Sequence, residues 1–176
     1  MRTGQLMLAT LMVMAAGCAS TVQKSGESGA VVVVGAGAGK SIVLNMTGST
    51  DSTTAKDWND FKALWRDACK EESAATGAAF SMQEGDAKPT GEPGTLVVVD
   101  VVDYHYVSTG ARIAFGIMTG NAYINAKVTF RDLQTGDVRA SKSYDTKSSA
   151  WEGVFSGMTT KQVRAMCHEL VGEIER

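Results

Sequence analysis

Residues 31–41 read VVVVGAGAGKS, and residues 96–100 read LVVVD. Together they set two folds against each other. If the first is a phosphate-binding loop and Asp100 a magnesium-binding acid, the chain is a parallel α/β nucleotide hydrolase. If the first is a linker, the domain begins near Ser41 and the valine-rich strand belongs to a different sheet. Spacing decides between them. A phosphate loop needs G-x-x-x-x-G-K-[ST]. Counting back from Gly39 and Lys40, the first glycine falls on Val34, and Gly35 stands one residue too near. Successive backbone N–H groups wrap the phosphate, so a missing residue changes the cradle. Gly35, Gly37 and Gly39 also miss the dinucleotide pattern G-x-G-x-x-G, whose last position is Lys40 here. Both motifs further require a helix opening directly at the loop, because its N-terminal N–H groups hold the anion. The next ten residues are SIVLNMTGST, a β-branched run and a turn cluster, which predicts a short strand.

The start of the chain argues the same way. Residues 1–18 read MRTGQLMLATLMVMAAGC. Arg2 supplies a positive n-region, and residues 6–16 form an apolar stretch suited to a secretory signal and too short to span a bilayer. The stretch ends in Ala15-Ala16-Gly17-Cys18, which resembles the bacterial lipobox, where cleavage precedes a lipidated cysteine. Position −3 is Ala15 instead of the commoner Leu. The expectation is a signal peptide over 1–17, a lipidated Cys18 with a flexible tether over 18–40, and one domain over 41–176. Ala19 and Ser20 after the cysteine carry no inner-membrane retention aspartate, so the expected location is the outer membrane, periplasm-facing. An exported hydrolase of this type would find no ATP there. The valines at 31–34 read as the end of the tether, with an extra edge strand as the alternative.

Composition bounds the rest. Removing the first 17 of 176 residues leaves 159, enough for one domain with a real core. The net charge is −2, with no basic patch or arginine run, so nucleic acid is not an expected partner. An acylated Cys18 would anchor the protein to the membrane without crossing it.

Downstream, the periodicities predict an α+β domain. Trp58, Phe61, Trp65, Ala68 and Cys69 recur at spacings of three and four, one apolar helix face. Thr54 and Asp57 have capping-box spacing at its start, and Gly77 stops it. Residues 78–82 form a short strand, 84–94 (EGDAKPTGEPG) a loop, and 95–107 a long strand buried on both sides. Ala122, Ile124, Ala126, Val128 and Phe130 alternate with polar residues, a half-buried strand. A turn at 134–137 returns the chain as a more polar strand over 138–146. Thr159 and Gln162 have capping-box spacing ahead of a last helix, whose inner face is Val163, Met166, Cys167, Leu170, Val171 and Ile174. The expected fold is a two-layer sandwich: a mixed or antiparallel sheet of about five strands with two helices on one face.

Candidate chemistry is sparse. Asp103 and His105 lie two apart on a strand and share a face, the beginning of a metal site without an evident third ligand. No G-x-S-x-G elbow is present, and no catalytic, cofactor-binding or metal-binding residue is assigned. Trp58 and Trp65 read as core, and Trp151 as cover for a sheet edge. Cys69 and Cys167 both fall on inward helix faces. In an oxidising envelope they are a candidate disulfide, with two buried thiols as the alternative. The segment 111–120, ARIAFGIMTG, is apolar yet broken by glycines. It is either a partner contact through Phe115, Gly116, Ile117, Met118 and Gly120, or a bend buried in the domain.

Residues 95–175, with FGIMTGNAYINAKVTFRDLQTGDV followed by SAWEGVFSGMT and the last helix, resemble the domain-of-unknown-function 4410 lipoproteins of proteobacteria. Their shared features are a glycine-rich segment entering an alternating strand and a D-x-x-T-G turn, here Asp132 to Gly136. That family is similar in layout to envelope lipoproteins with a TolB-N-terminal-like fold. The resemblance implies a non-catalytic binding or assembly role with an envelope protein partner, and no catalytic residue carries over. A homo-oligomer stays open. Two further functions remain as alternatives: an accessory carrier of lipid or hydrophobic ligand for envelope transport, and an exported hydrolase or nucleotide-binding protein.

Overall fold

The computed structural model describes residues 22–25, 37–115, 120–147 and 157–174. Six strands, β1 (Val22–Ser25), β2 (Ser41–Gly48), β3 (Ala79–Gln83), β4 (Thr95–His105), β5 (Tyr123–Asp132) and β6 (Val138–Lys147), form one sheet in the order β1-β6-β5-β4-β2-β3. β4, β5, β6 and β1 pair antiparallel in turn, while β2 runs parallel to both β3 and β4. The helices are α1 (Thr50–Thr54), α2 (Trp58–Thr76), α3 (Thr109–Phe115) and α4 (Met158–Ile174). The fold is thus α+β with a mixed sheet, one strand larger than expected.

The period-two pattern of β5 decides which face is covered. Ile124, Ala126, Val128 and Phe130 are buried against α2 and α4, opposite Val97, Val99 and Val101 of β4. The inner face of α4 is buried at all six expected positions, as is the predicted face of α2. The two long helices pack side by side, and Cys69 of α2 is joined to Cys167 of α4 by a disulfide. Trp58, Phe61 and Trp65 make an aromatic run down α2, and Phe61 stacks on Tyr104 with ring centroids 4.3 Å apart.

β2, α2 and β3 form a parallel crossover, for which the helix is needed to bring the chain back to the strand start. The next connection makes the same return without a helix. Residues 84–94 run back over the face of the sheet that α2 and α4 leave open, where Ala87 packs on Val43, Leu96 and Leu133. Asn45 pins the start of this loop by donating to the carbonyls of Gln83 (3.2 Å) and Gly85 (2.9 Å). Gly94 ends it: a Cβ there would stand 2.4 Å from the Ser41 carbonyl oxygen, so the crossing admits no side chain.

The D-x-x-T-G turn proves to be a carboxylate-locked hairpin. Asp132 Oδ1 accepts from the backbone N–H of Gln134 (2.9 Å) and Thr135 (3.2 Å), and Arg139 donates to Oδ2 at 2.9 Å. Arg139 and these two N–H groups hold the carboxyl below the usual range. Gly136 takes the positive φ that closes the turn.

Several local expectations are corrected. Thr54 is not the cap of α2. Ser49 accepts from the Ser52 N–H and caps the short α1, which ends at Ala55, and α2 starts afresh at Trp58. Thr159 and Gln162 are buried and serve the connection between β4 and β5: Thr159 Oγ1 accepts from the Val107 N–H (3.0 Å), and Gln162 donates to the Ala122 carbonyl (2.9 Å). Within the span read as tether, Val22–Ser25 is an edge strand, and Ala38–Lys40 form a 3₁₀ turn whose Ala38 is buried. Cys18, Val31 to Val34 and Trp151 lie outside the described residues.

Candidate functional site

The register places one end of the sheet in view. Val22 pairs with Thr146, Tyr123 with Lys147, and His105 with Tyr123, so the start of β1, the end of β6, the start of β5 and the end of β4 lie along one rim. α3 leaves from that rim three residues beyond β4. The segment 111–120 therefore divides. Its first half is the tail of a helix, against the expectation of a glycine-broken loop or strand bend. Ile113 is 61% and Phe115 67% exposed, the two most exposed large apolar side chains among the described residues. Gly116, Ile117 and Met118 lie outside the described residues. Gly120 has φ +76°, and a Cβ on it would come 3.8 Å from His105 Nε2.

The ends of this segment are tied down. Val107 and Ala122, which flank it in sequence, form a small buried cluster of their own, and the bonds from Thr159 and Gln162 clamp both to the start of α4. These two residues were missed as positioning groups, because their spacing matches a helix cap equally well.

On the open face beside α3, a bulge between Val101 and Asp103 keeps Asp103 and His105 on one side, opposite Asn125 and Tyr123. The His105 and Tyr123 rings stack at 6.0 Å, and the Tyr123 hydroxyl donates to Asp103 Oδ2 at 3.0 Å. That bond, with a little burial, raises the phenol above its ordinary value. Asp103 is thus engaged by a phenol. Among the described residues, no group of three His, Cys, Asp or Glu side chains is placed to hold a metal ion. Asp100 is exposed on the same open face, 3.4 Å from the Thr47 hydroxyl and paired in register with Lys127. On the covered face the Tyr104 hydroxyl donates to Asp57 at 2.6 Å. Burial first, and then Asp57, drive its pKa far up, so it remains a neutral structural donor.

A charged cluster holds β1. Lys24 reaches Glu169 (2.5 Å) and Glu173 (2.9 Å) of α4, and Lys142 of β6 also bonds Glu173. Burial pushes Glu173 up, but the bonds from Lys142 and Lys24 outweigh it, and the carboxyl sits below its ordinary value. Between α2, α4 and the sheet lies a cavity of about 10 Å³ lined by Ile42, Leu44, Cys69, Phe80, Val97, Leu170, Val171 and Ile174. That is room for a single water, so carriage of a lipid chain there would require the helices to part from the sheet.

No family model matches the chain, and no curated protein matches it in sequence. Solved structures do resemble it. A PelC dodecamer from Paraburkholderia phytofirmans is 11% identical with a TM-score of 0.50, over 88% of this chain and 96% of that one. A protein of the DUF330 family from Xanthomonas campestris is 10% identical at 0.44, over 75% and 81%. A lipoprotein from Neisseria meningitidis is 12% identical at 0.37, over 75% and 99%. At such identities the likeness to PelC is one of fold.

Proposed function

We propose that the chain is a lipid-anchored lipoprotein of the bacterial envelope, held through Cys18 in the outer membrane and facing the periplasm. Its domain acts as a non-catalytic binding and assembly module of the kind the 4410 resemblance implies. The observation that carries the proposal is the Cys69–Cys167 disulfide, buried between the two long helices. Such a bond persists in an oxidising compartment, which is where a signal ending in Ala-Ala-Gly-Cys would deliver the chain. An exposed apolar surface lies at the α3 rim, where Ile113 and Phe115 stand out on a segment clamped at both ends. The PelC structure is a dodecamer, and self-assembly is proposed for this chain by analogy of fold.

The test is the intact mass of the protein purified from native membranes. The expected species starts at Cys18 and carries a diacylglycerol and an acyl chain. An unprocessed chain in the soluble fraction would sink the proposal, and the 31–41 stretch would then be titrated with nucleotide and magnesium. Light scattering of the detergent-solubilised lipoprotein tests assembly: several copies are expected, and a monomer at all concentrations removes that part.

A further inference from the structure

Residues 18–40, read as a tether, would let the domain roam far from its anchor. The structure shortens that leash. β1 begins at Val22 and is fastened into the sheet by its pairing with β6 and by Lys24's ion pairs to α4. Only four residue steps separate Cys18 from Val22, and a fully extended chain covers at most about 14 Å in that distance. If Cys18 sits at the headgroup level, the start of β1 is held within one short loop of the bilayer.

The rest of that rim is set by the register. Val22, Thr146, Ile124 and Tyr104 are paired in a row across four strands. Adjacent strands are about 4.8 Å apart, so the end of β4 lies about 14 Å sideways from the start of β1. α3 projects from there, with Ile113 and Phe115 exposed. Lys147, exposed at the end of β6, adds a cation to the same rim. A short leash and an apolar helix at one end of one sheet converge on the same surface. Resting on the lipid anchor proposed above, we infer that this rim lies against the bilayer that holds the anchor, with Ile113 and Phe115 seated in its interfacial layer. The occupant of the α3 surface is therefore lipid, and the surface left for envelope partners is elsewhere on the domain.

The experiment uses the full lipidated protein in vesicles of phosphatidylethanolamine and phosphatidylglycerol, with and without bromine on the acyl chains. Phe115→Trp and, independently, Ile113→Trp add an emitter on the rim. Val138→Trp adds one at the opposite end of the sheet, where Val138 is 59% exposed. An interfacial side chain sits about 5–10 Å deep, within reach of brominated chains. The emission added at 115 and 113 should be largely lost in brominated vesicles, and that added at 138 should persist. Equal quenching at both ends, or none at 115 and 113, overturns the inference. Emission at 115 that is shielded with rising protein concentration but not by bromine assigns the surface to a second copy, and also overturns it. The mass of the same sample separates the two proposals: a chain without lipid on Cys18 sinks the anchored function and this inference together, whereas a lipidated chain with an unquenched rim sinks this inference alone.

Discussion

Replacing both Cys69 and Cys167 with alanine should reveal how much of the domain's stability is covalent. The bond joins residues 98 apart, and in the chain-entropy account a closed loop of about 100 residues contributes about 4.7 kcal/mol. The unfolded chain is more compact than that account assumes, so a loss of about 3–5 kcal/mol is expected. Both positions are buried on apolar helix faces, and alanine keeps those faces apolar, so the helices should still pack. The assay is urea unfolding followed by tryptophan emission, since Trp58 and Trp65 are buried between α2 and the sheet. The midpoint should fall by roughly 2 M, and the slope should rise, because an uncrosslinked unfolded chain exposes more surface. The single variants carry an internal check. Either one breaks the crosslink, so the second substitution should add little to the first, a strong departure from additivity. A loss below about 1 kcal/mol with an unchanged slope would refute the reasoning. It would mean that residual contacts in the unfolded chain already hold the ends of the loop close together.

Two further outcomes are expected from the packing and the charges. Phe61→Ala removes a fully buried ring that stacks on Tyr104 and meets Trp65 edge-on. Calorimetry should register a loss of about 3–5 kcal/mol, and a much smaller value would show that this cluster is not what joins α2 to the sheet. Glu173, with its carboxyl held below the ordinary value, contributes stability above the unfolded-state pKa of about 4.3 and loses it as pH falls through the depressed folded value. Glu173→Gln should therefore be less stable than the parent at neutral pH, and the gap should close in acid. Stability curves that run parallel down to low pH would count against the cluster around β1.

Where the sequence was informative, local chemistry and tertiary packing pointed the same way. The alternation from Ala122 to Phe130 and the inner face of α4 are buried as their spacing predicts, because one face of each element meets the same core. The misses are places where a distant partner decides. β1 is VQKS, short and polar, with no alternation to betray it. Its placement depends on β6 and on two glutamates near the end of the chain. Thr159 and Gln162 have a capping-box spacing, yet their polar atoms serve Val107 and Ala122, which no local rule anticipates. The candidate surface was half legible: ARIAFGIMTG stood out as apolar, with a contact surface and a buried bend both open, but its glycines concealed that the first half is helical. His105 and Tyr123 are 18 residues apart and meet only through the register of β4 and β5.

The strand order also has a history in time. Among the described strands β1 is made first and pairs with β6, made last, while its lysine waits for α4, the last described element of all. β2 likewise stands between two strands, β3 and β4, that are both synthesised after it. Pairings of such long sequence separation form slowly, since loop closure must precede their reward. The nascent chain therefore carries β1 unmatched until β6 has been made. With a lipid on Cys18, as proposed, the leash would be long before β1 pairs and short only afterwards, so distance from the anchor would report whether the domain has folded.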